Sequence, residues 1–395
     1  LLLVLFSCRH EMPTQPGAGG ELPQWPMFAG NLRNTANAAD PVEYYPGPER
    51  GEVLWRVPIN NVFFAAPSIG SDGTIYVAGS LCDCVNADSG FIYAFNADGS
   101  LKWKFKTENS NFAAAGALDA EGTYYYGSLD GYLYALSREG KLKWKRKIGP
   151  FVTEMRPALT RDGKVVATVG PGIFALDAAS GDSLWFYPRP WVLGFTVSVA
   201  RDGTIYTGTP SSLLALNGDG TLLWSYPLRF GPSGIVIGGD GTVYFAVPGD
   251  TVLHALQPDG SPKWSAPLGG MSSNNKPAIA PDGSIYIING FGNFPYLSRV
   301  DQAGKVVSRI SLARLVGLPE RTPVDVGTST PMIDKSGNVY ITMSGRTIDN
   351  LFSIGPDGQQ NWSLHIADRA LFARPGFSRE GILYIGVAGA FVAIW

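Results

Sequence analysis

The chain is poor in the residues on which most enzyme chemistry depends. Its 395 residues include 3 histidines and 3 cysteines, and charged side chains are only 16%. His10, His254 and His365 are scattered, and no Ser/His/Asp spacing, metalloprotease motif or phosphate loop stands out. The balance of 31 basic against 33 acidic residues gives −2, which removes the general case for a nucleic-acid partner. Sparse charge with 45% hydrophobic residues argues against disorder. No segment sustains a 3.6-residue period, so a helical fold is excluded. The one terminal apolar run, Leu1 to Phe6, is far short of the roughly 20 residues that span a bilayer.

What is abundant is glycine (49), proline (29) and aromatic side chains (12%), the mixture of many short strands joined by tight turns. The dominant signal is internal repetition. A first mark, a small or acidic residue followed by Gly, precedes an apolar run. Three residues after the Gly stands an aromatic in seven of eight copies. The Gly positions are 73, 122, 163, 203, 241, 283, 337 and 381, with steps of 49, 41, 40, 38, 42, 54 and 44 residues. This reads as a hairpin turn that needs positive φ, then a strand. The Asp-Gly pairs lack the further acids of a calcium loop. A second mark is Gly with Trp four residues on: Trp55, Trp103, Trp144, Trp185, Trp224, Trp264 and Trp362. One copy departs, with Ser308 after Gly304.

Each unit of about 40 residues therefore predicts four strands. Strand A precedes the first mark (276–279 in blade 6), B follows it (284–288), C is of the Leu/Tyr-Ala-Leu type (132–136 in blade 2), and D carries the Trp. The eighth unit has A (374–377), B (382–386) and C (390–394), then the sequence stops at Trp395. Residues 51–58 are a D strand with no blade. Pairing the two predicts an all-β, eight-bladed β-propeller of four-stranded antiparallel blades, closed by 51–58. Closure removes an open edge that would invite aggregation. Three loops exceed the pattern: around Cys82-Asp83-Cys84, at 291–295, and at 313–325.

Trp25-Pro26-Met27-Phe28 with Asn34-Thr35, followed by the Tyr134-Ala135-Leu136…Gly140…Trp144 repeat, resembles the PQQ-like repeat propellers. The resemblance spans 25–395, expected as one domain. That family includes quinoprotein dehydrogenases and smaller non-catalytic lipoproteins of the BamB type, which scaffold outer-membrane assembly. Length and single-domain design look like the second branch. Leu5-Phe6-Ser7-Cys8 resembles a bacterial lipobox, with Cys8 the lipidated residue; an ordinary secretory signal is the other reading. The chain opens at Leu1, so further residues are expected before it. Residues 1–8 are then the end of a signal, and 9–24 a flexible tether. Arg9 lacks the Asp that favours inner-membrane retention, so the resemblance implies an outer-membrane lipoprotein in the cell envelope, on its periplasmic or surface side.

Candidate binding residues come from the column seven before each first-mark Gly: Ala66, Ala115, Arg156, Thr196, Gly234, Lys276, Thr330 and Arg374. This ring is expected at the channel mouth, where one sign of charge favours an anionic ligand or a partner's acidic side chain. Glu154, Asn111, Trp191, Asn274 and Asn275 lie nearby in sequence. The plainer expectation is that these long cations snorkel to solvent at a rim. A quinoprotein would need a Ca²⁺ site of Glu, Asn and Asp and a catalytic Asp. Only Glu154 and Asp325 are offered, and the family's adjacent-cysteine disulfide is replaced by Cys82-Asp83-Cys84. Cys82 and Cys84 are a candidate disulfide in an oxidising compartment. His254 sits in the column of Tyr93 and Tyr134 and reads as a packed residue. Lys102, Lys104, Lys106, Lys141, Lys143, Lys145, Arg146 and Lys147 crowd the D strands of blades 1 and 2. They read as edge guards, or as a patch for anionic headgroups or an acidic partner. The expectation is a non-catalytic, lipid-anchored scaffold, monomeric within a complex of an envelope partner or anionic ligand, with no catalytic residue, metal or cofactor. The alternatives are a PQQ- and Ca²⁺-dependent oxidoreductase and a cell-surface ligand sensor.

Overall fold

The computed structural model describes residues 44–59, 66–80, 90–108, 115–149, 156–189, 196–270, 276–290, 294–320, 322–324, 330–343, 349–367 and 375–395. They form eight four-stranded antiparallel sheets arranged as the blades of a propeller. Blade 2 is typical, with strands Ala117–Leu118, Tyr124–Gly127, Tyr132–Leu136 and Leu142–Lys147. Strand A lies innermost. The A strands of blades 8, 1, 2, 3, 4 and 5 touch in turn, as do those of blades 6 and 7. Among the described residues the one α-helix is a single turn, Leu312–Leu315, and no helix is long and apolar enough to cross a membrane.

The first-mark glycines all take φ between 76° and 90°, the region in which any side chain would be strained. The preceding Asp completes the turn. Asp72, Asp202, Asp240 and Asp282 each accept the N–H of the residue two further on at 2.9–3.0 Å. Strand A is shorter than its sequence pattern predicts, two residues in seven of the eight blades. In five blades a proline (67, 157, 277, 331, 375) stands immediately before it, and proline has no N–H to donate to the ladder.

The Trp column staples each blade to the next. Every indole Nε1 donates to a carbonyl at the start of the following blade's C–D turn: Trp55 to Ala97, Trp103 to Arg138, Trp144 to Ala178, Trp185 to Gly218, Trp224 to Pro258 and Trp264 to Gln302, at 2.7–3.0 Å. Trp362 donates to Pro48 at 3.1 Å. The turn glycine provides the seat. A Cβ on Gly99, Gly140, Gly181, Gly220, Gly260, Gly304 or Gly51 would stand 2.6–2.8 Å from the indole Cδ2.

The closing sheet is the predicted one. Strand Val53–Pro58 pairs antiparallel with Ala390–Ile394, placing Trp55 opposite Ala393 and Val57 opposite Phe391. Before it, the chain crosses blades 6 and 7: Tyr44 Oη donates to Ile279 O, Tyr45 O accepts from Lys335 N–H, and Pro48 receives Trp362. The signal, lipobox, tether and entry motif at 25–35 lie outside the described residues.

Candidate functional site

The inner-ring column forms a wall of small and polar residues around the axis. Ala66, Ala115, Thr196 and Thr330 are buried, and so are the two cations, Arg156 at 3% exposed and Lys276 at 4%. The expectation that they snorkel to a solvent rim is therefore corrected. The physical reason is visible at Lys276. Its stem runs sideways along the ring from blade 6, across blade 5, and its Nζ donates to Thr196 Oγ1 of blade 4 at 2.7 Å. Gly234 of blade 5 makes that path: a Cβ there would lie 2.4 Å from Lys276 Cγ and 2.8 Å from Cδ.

This brings cations from distant blades to one arc. The A strand of blade 4, Ser198–Val199, contacts that of blade 3, Ala158–Leu159, and Arg156 enters that strand two residues before it begins. Thr330 adds a buried hydroxyl that makes no hydrogen bond. Among the described residues the arc thus carries two cations and hydroxyls between apolar strands, a setting that strengthens attraction for an anion. Arg374, Glu154, Asn111, Trp191, Asn274, Asn275 and Asp325 lie outside the described residues, as do Cys8, Cys82 and Cys84.

His254 is a packed blade residue. It stacks on Phe245 with centroids 5.0 Å apart, and its Nε2 lies 2.9 Å from Asp250 Oδ2. Tyr134 makes the same bond to Asp130 in blade 2, at 2.6 Å, so the pair is a repeat feature. Among the described residues no three His, Cys, Asp or Glu side chains gather as a metal site.

Sequence reasoning missed the seam between blades 6 and 7. There Ser308 replaces the Trp, and Arg299, which pairs with it across strands C and D, takes over the staple. Its Nη1 donates to Pro356 O at 3.4 Å, the carbonyl equivalent to those the indoles use. The guanidinium also binds Asp282 Oδ2 at 2.5 Å and Ser284 Oγ at 3.1 Å, and lies 5.7 Å from the Tyr286 ring centroid. A cleft of about 530 Å³ opens beside it, lined by Asp282, Ser284, Arg299, Asp301, Gln302 and Val307. The available signal was the residue opposite the Trp: alanine in six blades, arginine only in this one.

Comparison with known proteins agrees with this architecture. The family model described as outer membrane protein assembly factor BamB matches residues 45–234 and 173–367. Among solved structures, quinohemoprotein alcohol dehydrogenase from Comamonas testosteroni superposes with a TM-score of 0.66 at 13% identity, covering 94% of this chain and 80% of its own. BamB from Moraxella catarrhalis gives 0.65 at 14% identity, covering 87% and 99%. Virginiamycin B lyase from Staphylococcus aureus gives 0.54 at 13%, covering 71% and 92%. At these identities the structures share the fold. No curated protein sequence matches the chain. The two family matches together run from residue 45 to 367, and the chain belongs to the PQQ-like repeat β-propeller family described as outer membrane protein assembly factor BamB.

Proposed function

We propose that the chain is a non-catalytic scaffold of the cell envelope that receives an anionic ligand, or an acidic side chain of a protein partner, at the inner-ring end of its channel. The observation that carries this reading is the path of Lys276 over Gly234 to Thr196, into the arc that also holds Arg156. A family named for outer-membrane protein assembly supports an envelope role within a complex. Anchoring through Cys8 belongs to the same proposal.

The alternative, a PQQ-dependent oxidoreductase, needs Ca²⁺ held by about six to eight oxygen ligands. The described ring offers two threonine hydroxyls and two cations that repel Ca²⁺; Glu154 and Asp325, the acids named for such a site, lie outside the described residues. Adding PQQ and Ca²⁺ is expected to leave absorbance and melting temperature unchanged. A ligand at a hundred times its Kd would stabilise by about 2.7 kcal/mol, a clear thermal shift.

The positive test uses Arg156→Met with Lys276→Met. Glutamate at these buried positions would add an internal charge, whereas methionine keeps volume and removes charge. Affinity capture from solubilised membranes, read by mass spectrometry, is expected to lose its specific partners at least about tenfold, the cost of one charge-assisted hydrogen bond. Undiminished capture by a folded double variant removes the inner ring from the function. The same spectra report the mass of Cys8.

A further inference from the structure

The outer rim of the propeller is not uniform. In each blade strand D is the outermost, and among the described residues its outer side pairs with no further strand. The residue after strand D donates its N–H inward in seven blades: Ile59 to Gly389, Thr107 to Gly90, Ile148 to Gly131, Arg189 to Pro171, Leu228 to Ser211, Leu268 to Thr251 and Leu312 to Pro295. Backbone donors alternate along a strand, so the residue before it aims its N–H outward. Those residues are Pro58, Lys106, Lys147, Pro188, Pro227, Pro267 and Ser311. Blades 3, 4, 5 and 8 have removed the outward donor. Blade 6 buries the equivalent Ser311, whose Oγ donates to Glu320 O. Blades 1 and 2 keep the donor and place lysine on it.

The same two edges carry lysine ladders. Lys104 and Lys106 share one face of strand Leu101–Lys106, and Lys145 and Lys147 one face of Leu142–Lys147; Lys102 and Lys143 sit at the β-bulges before them, their ammonium groups held by Asp72 and Thr74 and by Thr123. Alternate residues recur about every 6.8 Å, which is also the spacing of alternate carboxylates on an added strand. Aromatic rings keep the ammonium groups at the edge. Lys104 lies 5.6 Å from the Phe91 centroid, and Lys145 and Lys147 lie 4.9 and 4.6 Å from that of Tyr132. A carboxylate already sits on one ladder: Glu108, 58% exposed, pairs with Lys145.

We propose that the outer edges of blades 1 and 2 accept an extended acidic segment of another protein as a fifth strand, its alternate carboxylates meeting the lysine ladder. The outward N–H groups of Lys106 and Lys147 supply main-chain pairing, and the ladder supplies selection. Like charges keep two copies of this chain from pairing edge to edge, so the device is open to an acidic strand and closed to itself. This surface is distinct from the channel and does not depend on the reading given to it.

The test measures fluorescence anisotropy with a labelled peptide of about ten residues alternating Glu with Val or Thr, against a peptide of the same composition with its glutamates contiguous. The alternating peptide is expected to bind more tightly, and binding to weaken with salt. Lys106→Pro with Lys147→Pro is then compared with Lys106→Ser and Lys147→Ser. Both pairs lose two charges, but only proline loses the outward donors, and proline is native at this position in four blades. The proline pair is expected to bind about tenfold more weakly than the serine pair. Lys104→Glu with Lys145→Glu, at exposed positions, is expected to abolish binding. Equal affinity for the two peptides, equal affinity of the proline and serine pairs, or no binding of the alternating peptide at low salt each overturns the proposal.

Discussion

Deletion of Glu52–Val57 is expected to abolish the soluble monomer. The segment supplies the fourth strand of blade 8, and its loss leaves Ala390–Ile394 as a bare edge. Phe391, Val392, Ala393 and Ile394 are each 0% exposed in the closed ring. Uncovering even part of that strand, together with losing Trp55, costs on the order of 5–10 kcal/mol, comparable to the whole net stability of a domain. The exposed strand is apolar, uncharged and free of proline, the composition of an aggregating edge. The termini are also tied directly. Glu52 and Trp395 exchange both backbone hydrogen bonds at 2.8 Å. Size-exclusion chromatography and thermal melting read the result, and a deletion with unchanged melting would refute the clasp. Deleting residues 9–23 is expected to change neither. Trp55→Phe gives the graded version. It keeps the ring between Tyr384 and Phe391, 5.8 and 5.9 Å away, but loses the donor to Ala97. A loss of about 1 kcal/mol in urea denaturation is expected.

The closure was readable because its signals are one-dimensional. A turn glycine and a tryptophan repeat at fixed spacing, and an unpaired D strand at one end matches a missing one at the other. The blade boundaries follow from local chemistry at each Asp-Gly turn. The site was readable only in part. The column containing Arg156 and Lys276 can be found by alignment, but not their burial. The course of Lys276 depends on a missing side chain at Gly234, one blade away, and an acceptor at Thr196, two blades and 80 residues away. No local pattern carries that information. The crossing of Tyr44–Pro48 over blades 6 and 7 was equally silent, because its partners are backbone carbonyls, amides and an indole from remote turns. At the rim the reverse holds. Prolines 58, 188, 227 and 267 are plain in the sequence, yet their meaning appears only once the inward bonds of the following residues fix which way each N–H would point.

Replacing Ser308 by tryptophan is expected to destabilise the protein, although it restores the residue found in seven other blades. The position is occupied. Ile310 takes the seat of the indole, its Cδ1 3.3 Å from where a Cβ on Gly358 would be, and Arg299 reaches the turn carbonyl of Pro356. Forcing tryptophan into that seam costs about 1–3 kcal/mol as overpacking. Arg299→Ala alone is expected to cost about 1–2 kcal/mol. It removes the bonds to Asp282, Ser284 and Pro356, discounted because the Asp282 side chain is 52% exposed. The double variant re-creates the alanine–tryptophan pair of blades 1 to 5, with the turn glycine of blade 7 ready to seat the ring once Ile310 rotates away. Its stability is expected to return to within about 1 kcal/mol of the parent, a favourable coupling of roughly 1.5–3 kcal/mol between the two sites. Urea denaturation of the four proteins measures it. Simple additivity would show that Arg299 does not stand in for the indole. The predicted rescue would make arginine and tryptophan interchangeable blade staples, each requiring its own residue on the opposite strand.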